Sequence, residues 1–236
     1  SGLYVRMRFE NLEECLQFKK KIKPGMQLRI MGNVAPDRFL FDEMVISPQG
    51  IIAVPKKERM DNAEVKRVEL HCHTKMSKMD GVTPMEDLVE TAIKWGHKAL
   101  AITDHGVVQA FPFCFDVAEK ADIKLIFGME GYLMNGHDID LEPTDTIKKS
   151  RIKKVKNNHI IILAKNETGL RNLYKLVTIS HLRYLHKRPM LPREVIEEYR
   201  EGLILGSACE AGELYRAILA GRPDEELEKI ASFYDY

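Results

Sequence analysis

From Lys66 onward, short apolar runs alternate with helical patterns, and nearly every run hands over to a residue able to bind a metal. The runs cover 67–70, 99–103, 124–127, 159–164 and 203–205, each too short for a helix that would stand by itself. Between them apolar residues recur at helical spacing. Leu88, Val89, Ala92 and Trp95 follow a Thr83-Pro84-Met85-Glu86 capping box, 112–121 reads as a second helix, and Leu170, Leu173, Tyr174 and Val177 mark a third. Two more helices carry the chain from Cys209 to Tyr236. This alternation predicts a parallel α/β architecture, in which the downstream ends of the strands converge on one mouth.

The residues at those ends share one chemistry. His71 and His73 close the first strand two positions apart, so both imidazoles face the same side and reach one point. A neutral imidazole is the commonest side-chain metal ligand, although an HxH pair by itself is equally a chance pair of histidines. His105, Glu130 and Cys209 close later strands, whereas His159 opens its strand. Repetition at successive strand ends favours a metal site. Asp80 and Asp104 also read as turn residues beside glycine, and Cys209 as a small buried hydrophobe. Cys72 points to the opposite strand face, and Cys15 and Cys114 fall on helices, so these three read as structural. His97, His137, His181 and His186 have no convergent partner in the sequence.

Residues 1–54 form a separate β-rich unit: a strand from Leu3 to Phe9, a helix over 10–22, a strand over 26–31 and another over 37–46. This pattern suits the later part of an OB barrel with its first strands missing, and Arg6, Arg8 and Arg29 lie either on a single-strand-binding face or on a solvated one. The proline-led polar stretch 55–65 reads as a linker. Composition narrows the class. A net charge of +1 rules out any argument from global basicity. Four cysteines without CxxC spacing are no disulfide framework and suit a reducing compartment. No apolar run reaches the roughly 18–20 residues of a membrane span, and the first residues do not read as a signal peptide.

Five runs taken together, Val68–Gly81, Ala101–Gly106, Gly128–Tyr132, His159–Asn166 and Gly206–Gly212, resemble the PHP (polymerase and histidinol phosphatase) domain over 66–236. The version inside PolC-type alpha subunits of bacterial DNA polymerase III is the most similar, and there an OB-like segment also precedes it. The resemblance implies a distorted (β/α)7 barrel with up to three metals, zinc or manganese, in its mouth. His71, His73 and Glu130 would hold one, Glu130 would bridge to a second held by His159 and Cys209, and Asp80 and His105 would contribute to a third. Glu130, His105 and Asp80 would also be catalytic in phosphoester hydrolysis, as a 3′–5′ exonuclease or phosphatase, or the metals would staple a scaffold. The parent would be a Mg2+-dependent, cytoplasmic bacterial polymerase working on primer–template DNA with other replisome subunits. Two departures stand out. The family's late Asp and His metal motif has no counterpart, so the barrel reads as incomplete at its C-terminal end. Residues 135–158 also stand where an exonuclease domain is usually inserted.

Basic residues supply a further expectation. Lys148, Lys149, Arg151, Lys153, Lys154 and Lys156 form either a DNA-backbone contact or a solvated loop, and Arg183 and Arg188 with Tyr184 form a second nucleic-acid candidate. Against the polymerase-fragment reading stand a free-standing PHP-family phosphatase, disfavoured by the OB-like leader, and a non-catalytic nucleic-acid-binding module.

Overall fold

A computed structural model describes residues 4–40, 43–55, 59–134 and 157–236, with His186 described by its backbone alone. The chain separates into two compact units, Ser1–Met60 and Asp61–Tyr236.

In the first unit, β1 (Tyr4–Val5) lies parallel to β3 (Glu43–Val54), and β2 (Gln27–Asp37) lies antiparallel to β3 on its other side. β2 is longer than expected. It runs through Gly32, where a bulge lets the strand pass so close to β3 that a Cβ would stand 2.2 Å from the Ser47 carbonyl oxygen. Of the expected strand at 37–46, Asp37 closes β2, Arg38–Leu40 is a 3-10 segment, and the part from Glu43 onward is strand, as the start of β3. Helix α1 (Leu12–Lys21) is capped by Asn11, whose side chain accepts from Glu14 N at 2.9 Å.

The second unit starts with a tether. Asp61 accepts from Ala63 N at 2.8 Å and meets His97 Nε2 at 3.0 Å, so His97 has a partner that its sequence neighbourhood does not reveal. The strand expected at 67–70 shrinks to one parallel bridge between Glu69 and Leu100, extended by Thr103 N donating to Cys72 O at 2.9 Å. β4 (Ala99–Ile102) pairs in parallel with the first half of β5 (Lys124–Met134). The second half of β5 takes β8 (Arg188–Pro192) in parallel on one side and β6 (Asn158–Ala164) antiparallel on the other. β9 (Leu203–Gly206) is antiparallel to β6, and the short β7 (Leu185–His186) is antiparallel to β8. The sheet is therefore mixed rather than all parallel. Its order β7-β8-β5-β6-β9 leaves two edges, and the described residues do not close it into a barrel. Asp235 N and Tyr236 N donate to Leu205 O along β9.

Period-two alternation gives this sheet two buried faces. Leu100, Ile102, Met129, Leu133, Ile160 and Ile162 pack outward against the helices: α2 (Met85–Lys94), α3 (Phe111–Ala118), α4 (Glu167–Leu182) and α5 (Arg193–Glu198). Ala101, Ile161 and Leu163 point the other way and form a smaller cluster with Leu70, Ile126 and Ile204. Glu130 and Tyr132 alternate with Met129, Gly131 and Leu133, so they project from that second face too. At α2 the N-cap is Pro84, with no side-chain cap, so the Thr83–Glu86 box is not used; Thr83 O instead accepts from Lys75 N at 2.8 Å. Helices α6 (Glu213–Leu219) and α7 (Asp224–Ala231) complete the unit.

Candidate metal centre

β6 settles how His159 joins the others. Because β6 runs against β5, its first residues lie beside the last residues of β5, with His159 opposite Tyr132. A strand start on an antiparallel neighbour thus reaches the same mouth as the strand ends of β4, β5 and β9. Glu130 in turn is not at a strand end but inside β5, which continues for four more residues to Met134.

Glu130 is 1% exposed and is ringed by imidazoles. Its Oε2 lies 2.7 Å from His71 Nε2, 2.8 Å from His73 Nε2 and 3.5 Å from His105 Nδ1, and His159 Nδ1 stands against Oε1. Burial pushes the carboxyl up, but hydrogen bonds from His159, His71 and His73 overcome it and hold Glu130 far below the usual carboxylate range. His73 is driven in the complementary direction: burial lowers it, and the hydrogen bond and charge of Glu130 reverse that into a net rise. His105 Nε2 pairs with Asp80 Oδ2 at 2.8 Å.

Three trios of donor atoms emerge: His71, His73 and Glu130; His73, Asp80 and His105; Glu130, His159 and Cys209. Two imidazole nitrogens 3.1 Å apart, both within 2.8 Å of one carboxylate oxygen, bring three lone-pair donors to one point. Around a tetrahedral zinc with bonds of about 2.0–2.2 Å, such donors stand roughly 3.3–3.6 Å apart, so a small opening admits a cation. Cys209 Sγ is 3.9 Å from His159 Nδ1, against roughly 3.6 Å for thiolate and imidazole on one zinc. Glu130 Oε1, buried against His159 Nδ1 alone, would be satisfied by a cation held between Glu130, His159 and Cys209. The residues present fit divalent metals; their donor set does not by itself choose between zinc and manganese.

The centre opens into a cleft of about 940 Å3 lined also by Lys78, Lys187, Arg188 and Glu210. Arg188 lies with its guanidinium carbon 4.9 Å from the centroid of the Tyr132 ring, which itself stacks on His105 at 5.9 Å. Among the described residues only three non-glycines have left-handed φ: Met79 (67°), Lys187 (56°) and Ala208 (64°). Each directly precedes a cleft residue, namely Asp80, Arg188 and Cys209. Such backbone costs about 1–3 kcal/mol apiece and persists where its surroundings over-determine it.

Other expected residues fall elsewhere. Arg183 is the C-cap of α4 and does not line the cleft, whereas Arg188 does. Lys148, Lys149, Arg151, Lys153, Lys154 and Lys156, together with His137, lie outside the described residues. His181 Nε2 bonds to Gly106 O at 2.8 Å, a packing role. Sequence reasoning missed Ser77 and the part played by Asp104. Asp104 is 1% exposed and accepts from Thr74 N, Thr74 Oγ1 and Ser77 Oγ. Its place beside His105 is the signal that reading it as a turn residue passes over.

The four cysteines differ in environment. Burial pushes the Cys72 thiol up to about 11 and the Cys114 thiol up to about 12, and it raises Cys209 as well, although Cys209 lines the cleft. Alkylation of the metal-free chain is therefore expected at Cys15 and Cys209 before Cys72 and Cys114. Added zinc is expected to protect Cys209 and leave Cys15 unchanged. Peptide mass spectrometry reads both effects; equal labelling of Cys209 with and without zinc would remove it from the metal centre.

The family profile described as the PHP domain matches residues 69–235. The PolC-type DNA polymerase III of Clostridium perfringens is 31% identical over an aligned span of 415 residues, covering 98% of this chain and 28% of that protein. The PolC-type enzyme of Bacillus subtilis is 26% identical, covering 100% of this chain and 29% of its own length. This chain thus spans less than a third of these relatives. The aligned spans far exceed its 236 residues, so the relatives hold a long internal segment that it lacks. The solved structure of an amidohydrolase from Chromobacterium violaceum overlaps 72% of this chain and 44% of its own at 15% identity and a TM-score of 0.31, too loose to bear on function. No helix among the described residues is long and apolar enough to cross a membrane.

Proposed function

The chain belongs to the PHP domain family, and on that footing we propose that its second unit is a divalent-metal phosphoesterase. The observation that carries this reading is the Glu130 carboxylate, with His71 and His73 on one oxygen and His159 on the other. His71, His73 and Glu130 would hold one cation, and Glu130, His159 and Cys209 a second. When bound, such a pair supplies a water acidified toward neutrality and positive charge for the phosphate oxygens.

The chain's own residues do the rest. Arg188, steadied on Tyr132, presents its N–H groups at the cleft wall, where a phosphate would be recruited. Lys78 and Lys187 add positive charge at the rim. Asp80 accepts from His105 Nε2, which leaves the lone pair of Nδ1 facing the interior as a place to hold or pass a proton. Likeness to PolC-type polymerases supports a finer reading: a piece of a cytoplasmic bacterial replicative polymerase, with a partial OB-like unit at 1–54, a linker at 55–65 and the PHP domain at 66–236. In that setting the substrate is a DNA 3′ end, the partners are primer–template DNA and replisome subunits, and Mg2+ serves the polymerase elsewhere in the parent.

The test is hydrolysis of single-stranded DNA and of p-nitrophenyl phosphate by the metal-loaded chain, with and without a chelator, alongside thermal melting. Chelator-sensitive hydrolysis that Arg188→Ala weakens supports the proposal. Two bound metals that raise the melting temperature without turnover would overturn it and leave the centre as a staple joining four separate segments.

A further inference from the structure

Ser77 and Asp104 are both buried, outside the donor trios, and not used in the mechanism above. Ser77 Oγ has three polar neighbours: Asp104 Oδ1 at 2.6 Å, His73 Nδ1 at 2.8 Å and the backbone N of His105 at 3.1 Å. The protons on the Ser77 side of this ring can be counted. Asp104 Oδ1 also accepts from Thr74 N at 2.7 Å, and Oδ2 accepts from Thr74 Oγ1 at 2.8 Å. Thr74 Oγ1 takes the N–H of Met76 at 3.1 Å, so its own proton goes to Asp104. Asp104 is therefore an acceptor on both oxygens, and the single proton of Ser77 goes to it. The His105 N–H fills one lone pair of Ser77. The other lone pair faces His73 Nδ1, which must then carry a proton; Glu130 Oε2, 2.8 Å from Nε2, asks for a second one on the same ring, in the place a cation would take.

We infer that Asp104 is a positioning residue that, through the Ser77 hydroxyl, locks His73 in its Nδ1–H tautomer and so leaves Nε2 as its only donor atom. The inference rests on the metal-site reading for its consequence, not for its geometry. Nε2 is the atom 2.8 Å from Glu130 Oε2. A second consequence concerns the number of metals. His73 belongs to two trios, but an imidazole nitrogen serves one cation, so with Nδ1 committed those trios compete. Glu130 also belongs to two trios, but it offers two oxygens and can serve both. Saturation at two metals per chain follows, with Asp80 and His105 free for proton transfer.

Long-range 1H–15N spectra of the histidine side chains, recorded above the histidine titration range on metal-free Glu130→Ala, which lacks the acceptor facing Nε2, read the tautomer directly. His73 is expected as Nδ1–H in that variant and as Nε2–H or a mixture once Ser77→Ala is added. Asp104→Ala is expected to act similarly, by freeing the Ser77 hydroxyl to turn toward His73. Thr74→Val removes a bond to Asp104 without touching Ser77, so it is expected to cost stability and leave the tautomer unchanged. Zinc affinity of Ser77→Ala is expected to fall roughly 10- to 100-fold, the usual cost of losing a group that orients a metal-binding histidine. His73 in the Nε2–H form in Glu130→Ala, or the same tautomer with and without Ser77→Ala, would overturn the lock. An altered tautomer with unaltered zinc affinity would overturn its role toward the metal. Because the spectra need no metal, failure of the phosphoesterase reading would leave this test intact.

Discussion

Glu130→Ala is expected to remove two metals per chain, not one. Both trios that can be filled together depend on this carboxylate: Oε2 serves His71 and His73, and Oε1 serves His159 beside Cys209. Without it, two two-donor fragments remain, and neither approaches the four ligands that zinc prefers. Elemental analysis after zinc or manganese loading and desalting should read close to two in the wild type and close to zero in the variant. Loss of one metal alone would show that the sites are independent. Hydrolysis should vanish with the metals, whereas Asp80→Asn should keep them and lose rate, because Asp80 lies in neither of the two trios.

The same residue fixes how stability responds to pH in the metal-free chain. The folded Glu130 carboxyl is lowered from its ordinary 4.5, so its contribution is present above that value and is lost as pH falls through the lowered one. The folded His73 is raised from 6.5, so its contribution is full below that value and is lost as pH rises through the raised one. Metal-free wild type should therefore be most stable on the mildly acidic side, between those two ordinary values. Metal loading should move the optimum upward, since ligand histidines must shed protons to bind. Melting temperatures across pH, with and without zinc, check both signs, and Glu130→Ala should flatten the metal-free profile.

Much of the candidate centre could be read from the sequence because its proposed donors sit on short segments with their own local signatures. His71 and His73 need only a strand period, and His105 and Cys209 follow apolar runs that end in turn residues. What the sequence hid were features fixed by direction and partner. Nothing local says that β6 runs against β5, so His159 looked misplaced at a strand start. Gly128 and Gly131 made β5 look finished at Phe127. In the structure they are there because neighbours crowd them: a Cβ on Gly128 would stand 2.5 Å from Leu163 Cδ2, and one on Gly131 3.2 Å from Leu191 Cδ1. β8 went unread because Pro189 and Pro192 argue against a strand; in the structure Pro189 precedes the pairing with β5, opposite Leu185 of the short β7, and Pro192 is the last residue of the strand. The sheet is open, as an incomplete barrel would be, but mixed rather than parallel for the same reason: connection direction is a tertiary fact. The PHP resemblance supplied the proposed ligand set but not the buried Ser77 and Asp104, whose proposed roles appear only when protons are counted in three dimensions.

Gly81→Ala is expected to be among the most damaging small changes near the centre. The loop from Thr74 to Thr83 is tied at both ends: Lys75 N donates to Thr83 O at 2.8 Å, and Asp80 N and Gly81 N both donate to Ser77 O, at 3.0 and 2.9 Å. A Cβ on Gly81 would stand 1.8 Å from the Thr74 carbonyl oxygen, a backbone atom that no rotamer change can move aside. Relief requires the loop to open, and with it go Ser77, which holds His73, and Asp80, which holds His105. Overpacking of this kind costs about 1–3 kcal/mol, and here the upper end applies because the clash is with backbone. For a unit of this size each kcal/mol lowers the melting temperature by about 2–4 °C, so a drop on the order of 6–12 °C is expected. Gly96→Ala separates sterics from backbone conformation. Gly96 has φ +75° but open space around it, so only the left-handed cost of about 1–2 kcal/mol applies, and it neighbours none of the donor trios in sequence. Zinc affinity should fall in Gly81→Ala and hold in Gly96→Ala. Equal losses of stability with wild-type zinc affinity in both would mean that the 74–83 loop does not set the geometry of His73 and Asp80.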